Sequence, residues 1–143
     1  MRRDLTMAAV AVAAVLLAFG CASTPKADLS RLGGNWVGEE IGGEKGRCQM
    51  TVDGDTVKFQ GARQQDWYVG ILTLDPKADP KQATMLISDC GIRQYVNKVA
   101  RGIYKLEGKT LRLAAHEPGN DEVPTSFEHD TATQTRTFVF TRR

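Results

Sequence analysis

The chain has 143 residues, of which 25% are charged, and its formal net charge is +2. This length suits one domain behind an N-terminal segment, and no block of basic residues follows that segment, which argues against a nucleic-acid or polyanion partner. Length and charge do not distinguish a ligand-binding domain from an interaction module.

The N-terminus has the layout of a secretory signal, in which basic residues precede an apolar run. Arg2 and Arg3 are followed by the apolar residues 7–19, a run too short to span a bilayer that requires about 20 residues. Gly20 and Cys21 end the run. This arrangement resembles a bacterial lipoprotein signal, in which the cysteine is lipidated and becomes the new first residue.

The lipoprotein resemblance implies a signal peptide over residues 1–20 and lipid attachment at Cys21. The protein would then be exported and anchored in a membrane, facing the periplasm at the outer membrane. The alternative is a soluble exported protein with an ordinary cleavage site. Residues 21–30 are small and polar with one proline, which predicts a flexible tether to a domain over residues 31–143.

The first half of the domain alternates strand patterns with turn signals. A predicted first strand over residues 32–37 is broken at Gly42-Gly43, and residues 47–52 alternate apolar and polar side chains. Asp53-Gly54 is a two-residue hairpin signal that leads into a third strand over residues 55–60.

The middle of the domain continues in the same way. Residues 66–74 form a long apolar-rich strand, and the two prolines of the turn over residues 75–80 prevent sheet pairing there. Residues 83–88 predict a fifth strand. Residues 91–99 are the least clear stretch and indicate a loop or a short helix.

A hairpin is the clearest element of the second half. Residues 103–106 and 110–113 alternate apolar and polar side chains around Glu107-Gly108, a turn in which glycine can take the required positive φ. Residues 116–130 then form a polar loop, and residues 135–142 predict the last strand.

These patterns predict eight short strands joined by hairpin turns. The fold class is all-β, and eight antiparallel strands are about the number that closes a small barrel, either filled or holding one small ligand. A two-sheet sandwich is the alternative.

Two cysteines remain if Cys21 carries lipid. Cys48 and Cys90 are then an even pair in an oxidising compartment, which predicts a disulfide. Closing that loop would stabilise the domain by about 4 kcal/mol in the chain-entropy model. The alternative is two buried thiols that act as small hydrophobic side chains.

Gly34-Asn35-Trp36, at the start of the first strand, resembles the G-x-W signature of lipocalins. In that superfamily the tryptophan closes one end of the barrel and an arginine of the last strand lies across it. Arg142 stands at the corresponding place, so the resemblance implies a barrel-closing pair of Trp36 and Arg142. The threonine-aspartate-tyrosine motif of lipocalins is absent.

A second resemblance covers residues 32–142. It is to a small lipocalin-like domain of unknown function that recurs in exported planctomycete proteins. That family has no established activity, so the resemblance implies fold and export and no chemistry. The matching segments are residues 34–36, 74–81, 102–111 and 118–127.

The residues expected to face inward could line an apolar pocket, with tyrosine hydroxyls orienting a ligand. The alternative is that the same side chains only fill the barrel. Glu40 shares the strand face of Trp36, and a buried carboxylate needs a partner, which Arg136 or Arg142 could supply. The candidate pocket consists of Glu40, Met50, Phe59, Tyr68, Leu72, Tyr104, Phe138 and Phe140.

Catalysis has little support in the sequence. His116 and His129 lie in one polar loop, no spacing pairs them with a cysteine or serine nucleophile, and no metal-ligand motif such as H-E-x-x-H occurs. We expect no enzyme activity, no metal and no cofactor.

The sequence thus favours an envelope lipoprotein that binds a small apolar or amphipathic ligand and contacts the membrane through its N-terminal lipid. The alternative is an interaction module, with a filled core and no ligand, that binds another envelope protein.

Overall fold

The computed structural model describes residues 23–143, so the predicted signal peptide and the lipid attachment site Cys21 lie outside the described part. Every strand pairs antiparallel with the next, and the last pairs with the first, which closes a barrel. The predicted eight-stranded antiparallel barrel is therefore confirmed. The elements are α1 (Pro25–Leu32), β1 (Gly34–Ile41), β2 (Arg47–Asp53), β3 (Thr56–Gln60), β4 (Trp67–Asp75), β5 (Gln82–Cys90), a 3-10 turn (Arg93–Tyr95), β6 (Val99–Glu107), β7 (Thr110–Ala115) and β8 (Arg136–Arg142).

Two tight hairpins depend on glycines at positive φ. Gly54 joins β2 to β3 with φ of 60°, and Gly108 joins β6 to β7 with φ of 57°. A Cβ at either position would meet no atom within 4 Å. Glycine is therefore favoured at these turns because it readily adopts positive φ, and not because a side chain would lack space.

The two ends of the barrel differ in their connections. At one end, which we call the closed end, the strands are joined by residues 54–55, 76–81 and 108–109. At the opposite end, the open end, the connections are longer and span residues 42–46, 61–66, 91–98 and 116–135.

Helix α1 covers the closed end, although the sequence predicted a flexible tether over residues 21–30. The Thr24 side chain accepts from the Ala27 amide and caps the helix, and Pro25 at the first turn is preorganised for helical φ. Within residues 23–143 no helix has the length and hydropathy to cross a membrane.

A buried aspartate attaches α1 to the barrel. The Asp28 carboxylate accepts from the Tyr104 hydroxyl at 2.6 Å and from the Lys81 ammonium at 3.0 Å. Burial alone would raise the pKa of Asp28, but hydrogen bonds from Ser23, Tyr104 and Lys81 outweigh it and lower that pKa. Burial and the bond to Asp28 raise the pKa of Tyr104.

Trp36 and Arg142 meet where β1 pairs with β8. The two residues are direct cross-strand partners, and the guanidinium carbon of Arg142 lies 4.3 Å from the centroid of the Trp36 ring. The same guanidinium donates to the carbonyls of Gly33 and Arg31, and the Trp36 indole donates to the Leu32 carbonyl at 2.8 Å. This contact therefore joins the first strand, the last strand and the end of α1.

The structure does not contain the predicted disulfide between Cys48 and Cys90. Both thiols are free and buried. Strands β3 and β4 lie between the strands that carry the two cysteines, so three strand spacings of ~4.8 Å each separate them. That separation exceeds the ~7 Å between Cα atoms that a disulfide tolerates. The Cys90 thiol instead donates to the Ile92 carbonyl, and burial followed by the charge of Glu40 raises the pKa of the Cys48 thiol.

Replacing Arg142 with alanine should lower the free energy of unfolding by about 2 kcal/mol, because it removes the cation–π contact and two charge-assisted hydrogen bonds. Urea denaturation measures the change. Arg143→Ala is the control, since Arg143 is exposed and its backbone amide makes the contact with Asn35. Equal losses in the two variants would contradict the closure role.

Asp28 should make stability depend on pH in the acid range. Its pKa is lower in the folded protein than the ordinary 3.8, so its stabilising contribution is present above that value and lost as the pH falls through the folded pKa. Asp28→Asn should therefore flatten the decline of unfolding free energy between about pH 5 and pH 2. The exposed Asp53→Asn serves as control and should retain the wild-type slope.

Candidate functional site

The barrel encloses a cavity of about 440 Å³, a size within the range of small-molecule sites. The cavity reaches Leu32 of α1 and Leu74 at the closed end, while His116 and Thr131 line it at the open end. Trp36 and Phe140 do not line it. The cavity therefore runs along the barrel beside the packed contact of β1 with β8.

Most of the candidate pocket residues line this cavity. Phe140 does not line it, and its ring stacks on that of Phe138 with the centroids 5.8 Å apart. Glu40 is not a lining residue either and lies against Arg136 instead. The candidate residues that line the cavity are Met50, Phe59, Tyr68, Leu72, Tyr104 and Phe138.

Aromatic rings form the wall nearest the open end. The Phe59 ring meets the Phe138 ring edge to face, with the centroids 5.1 Å apart. The Tyr68 ring is tilted against the Phe59 ring, with the centroids 6.1 Å apart. The guanidinium of Arg136 lies over the Phe138 ring at 5.0 Å. Arg136 thus stands at the boundary between the apolar part of the cavity and its open end.

Arg136 is clamped between two carboxylates. Its Nε and Nη2 donate to the two oxygens of Glu40, both at 2.9 Å, and its Nη1 and Nη2 donate to the two oxygens of Asp66 at 2.9 and 2.7 Å. The side chains of Glu40 and Asp66 are only 5% and 2% exposed. We call these three residues the acid–arginine cluster.

The electrostatics of the acid–arginine cluster keep the arginine charged. Burial by itself would lower the pKa of Arg136, but the hydrogen bonds to Glu40 and Asp66 raise it above its ordinary value. The guanidinium is therefore a permanent cation that two buried carboxylates share.

Strand parity brings the cluster together. Glu40 and Arg136 lie on the inner faces of β1 and β8 at the open end, and Glu40 pairs with Phe138 in register. Of the two partners expected for Glu40, the structure selects Arg136. Asp66 precedes β4 on the face of Tyr68, and Gly61 leaves room for it, since a Cβ at Gly61 would lie within van der Waals radii of the Asp66 carboxylate.

Sequence reasoning missed the role of Asp66. It stands two residues before Tyr68, so the alternation of β4 already points it inward. That parity signal could have placed Asp66 inside the barrel, at the same end as Glu40.

Further polar side chains also line the open part of the cavity. His116 is 9% exposed, and its Nδ1 lies 2.8 Å from the Thr135 hydroxyl. Burial, followed by the charge of Asp66, raises the pKa of Tyr68 to about 12, and the Tyr68 hydroxyl has no hydrogen-bond partner among residues 23–143. Tyr68 is thus a neutral group that can donate to a ligand.

Two side chains of the types that serve as nucleophiles donate to the backbone instead. Ser88 donates to the Val69 carbonyl at 2.9 Å, and the Cys90 thiol donates to Ile92. The ring of His129 packs against Gly42, and its Nδ1 is buried without a partner in the described part of the chain. The described side chains contain no group of three that could hold a metal ion.

Comparison of the chain with protein-family models, with curated proteins and with solved structures gives no match. The cavity, its apolar wall and its charged open end are therefore the observations from which a function can be proposed.

Removing Arg136 should be costly, because Glu40 and Asp66 would remain buried without a counter-charge. We expect Arg136→Met to lower the free energy of unfolding by about 3–5 kcal/mol at neutral pH, measured by urea denaturation. The matched control is Arg63→Met, since Arg63 lines the same cavity but is 51% exposed and lies 3.7 Å from Glu44. That exposed pair should contribute less than about 1 kcal/mol. A small loss for Arg136→Met would contradict the role of the acid–arginine cluster.

Proposed function

We propose that this protein is an exported envelope lipoprotein that holds a small apolar or amphipathic ligand in its lipocalin-like barrel, without covalent chemistry. The observation that carries the proposal is the cavity of about 440 Å³ inside a closed barrel. Binding would be driven by burial of apolar ligand surface, at about 25 cal/mol per Å² less the ordering costs of association.

The distribution of side chains along the cavity favours an amphipathic ligand over a wholly apolar one. Leu32, Leu72 and Leu74 supply an apolar lining toward the closed end. His116 and Asp66 are polar lining residues of the open end. An apolar tail would therefore lie deep in the barrel, with a polar head at the open end.

The closed end supports the lipocalin-like part of the proposal. The contact of Arg142 with the Trp36 ring is the arrangement that the lipocalin resemblance implies. Helix α1 covers the same end, which leaves the open end as the route for a ligand.

The alternative function is an interaction module with a filled core. A cavity of this size favours the ligand-binding proposal, because a barrel that served only as a scaffold would gain stability by filling that space.

A pair of adjacent tryptophan variants tests the proposal. Leu72→Trp would fill the cavity, whereas Ile71→Trp adds the same side chain on the outer face, where Ile71 is 41% exposed. We expect dodecanol to bind the wild type and Ile71→Trp alike in isothermal titration calorimetry, and to bind Leu72→Trp at least roughly tenfold more weakly, a loss of ~1.4 kcal/mol.

Thermal unfolding without ligand would verify that both variants fold. Equal affinity in the two variants, or no binding to the wild type, would contradict the proposal. Native mass spectrometry of the protein purified from its own envelope would show a retained ligand as added mass.

A further inference from the structure

The acid–arginine cluster carries more negative than positive charge. Glu40 and Asp66 each accept two hydrogen bonds from Arg136, so one guanidinium serves two carboxylates. Both carboxylates are buried. In such surroundings an uncompensated charge is costly, and a further cation nearby would be favourable.

The other charged residues that line the cavity do not correct this excess. Arg63 is half exposed and lies toward Glu44. Glu117 and Asp130 add further carboxylates, and Glu117 accepts from the Tyr95 hydroxyl at 2.6 Å. Among residues 23–143, Arg136 is the cation that forms salt bridges with Glu40 and Asp66, and no second cation does so.

Two polar side chains that line the cavity have unused hydrogen-bonding capacity. His116 is more than nine-tenths buried and lines the cavity. Its Nδ1 is hydrogen-bonded to the Thr135 hydroxyl, and its Nε2 has no hydrogen-bond partner within the described chain. The Tyr68 hydroxyl is also unpartnered there. Each oxygen of Asp66 accepts one bond from Arg136, which leaves a second lone pair for a donor in the cavity.

We propose that the open end of the cavity selects amphiphiles with a cationic head, such as an alkylammonium, and rejects those with a carboxylate head. This inference rests on the proposed ligand-binding function and names its ligand class. The ammonium would lie beside Asp66 and complete the charge of the acid–arginine cluster, while its alkyl tail would contact the ring of Phe138 and the apolar wall below it. A carboxylate head would instead meet an excess of like charge.

Three probes with the same alkyl chain test the selection: dodecylamine, dodecanol and dodecanoate. Isothermal titration calorimetry at neutral pH, below the critical micelle concentrations, should give an affinity for dodecylamine at least roughly tenfold above that for dodecanoate, with dodecanol between them. Dodecanoate binding as tightly as dodecylamine would overturn this inference and leave the ligand-binding function intact. Absence of binding by all three would overturn the ligand-binding function itself.

Matched variants locate the selection in the cluster. Asp66→Asn and Glu40→Gln each remove the excess charge while Arg136 keeps one carboxylate partner, so the preference for dodecylamine should fall about tenfold. Glu39→Gln is the control, because Glu39 is the exposed neighbour on the outer face of β1 and its removal should leave the preference unchanged.

Circular dichroism and thermal unfolding would show which variants fold. A preference that persists in a folded Asp66→Asn or Glu40→Gln variant would overturn the assignment to the cluster. If neither folded, the three probes on the wild type would still decide the head-group preference.

Discussion

The pairing of β1 with β8 is the constraint on which the rest of the structure depends. It determines which face of each strand is inside, and it brings Glu40 and Arg136 to the same end of the barrel. The two backbones approach closely, since a Cβ at Gly38 would overlap the Val139 carbonyl. Closure therefore requires glycine at that position as well as the contact of Arg142 with Trp36.

Local patterns account for the parts of the fold that the sequence predicts. Alternation and the turn at Asp53-Gly54 indicate β2 and β3, because both signals act within a few residues. Helix α1 has the local start signals of Thr24 and Pro25, but its eight residues are too few to be stable alone. Its buried Asp28 is held by Lys81 and Tyr104, which lie 53 and 76 residues away, so tertiary contacts rather than periodicity stabilise it. The Cys48–Cys90 prediction failed for a related reason, since an even cysteine count carries no information about distance.

The candidate site was predictable to a similar extent. Parity places Glu40, Phe59 and Phe138 inside, and the structure finds all three there. Parity does not reveal that Phe140 packs away from the cavity, because that depends on how aromatic rings share the space inside a closed barrel. The volume of the cavity is likewise a property of packing in three dimensions, and strand patterns do not contain it.

The order of the strands has a consequence for how the protein folds. Each strand pairs with its neighbour in sequence, except that β1 also pairs with β8. We call this pairing the seam; its paired residues, such as Trp36 and Arg142, are separated by almost the whole sequence of the domain. The hairpins can form locally and fast, whereas the seam must overcome the largest loop-closure entropy. An intermediate with an unsealed seam would expose the free edges of β1 and β8. Self-association during folding would then begin at these two edges, far in sequence from the hairpins that form first.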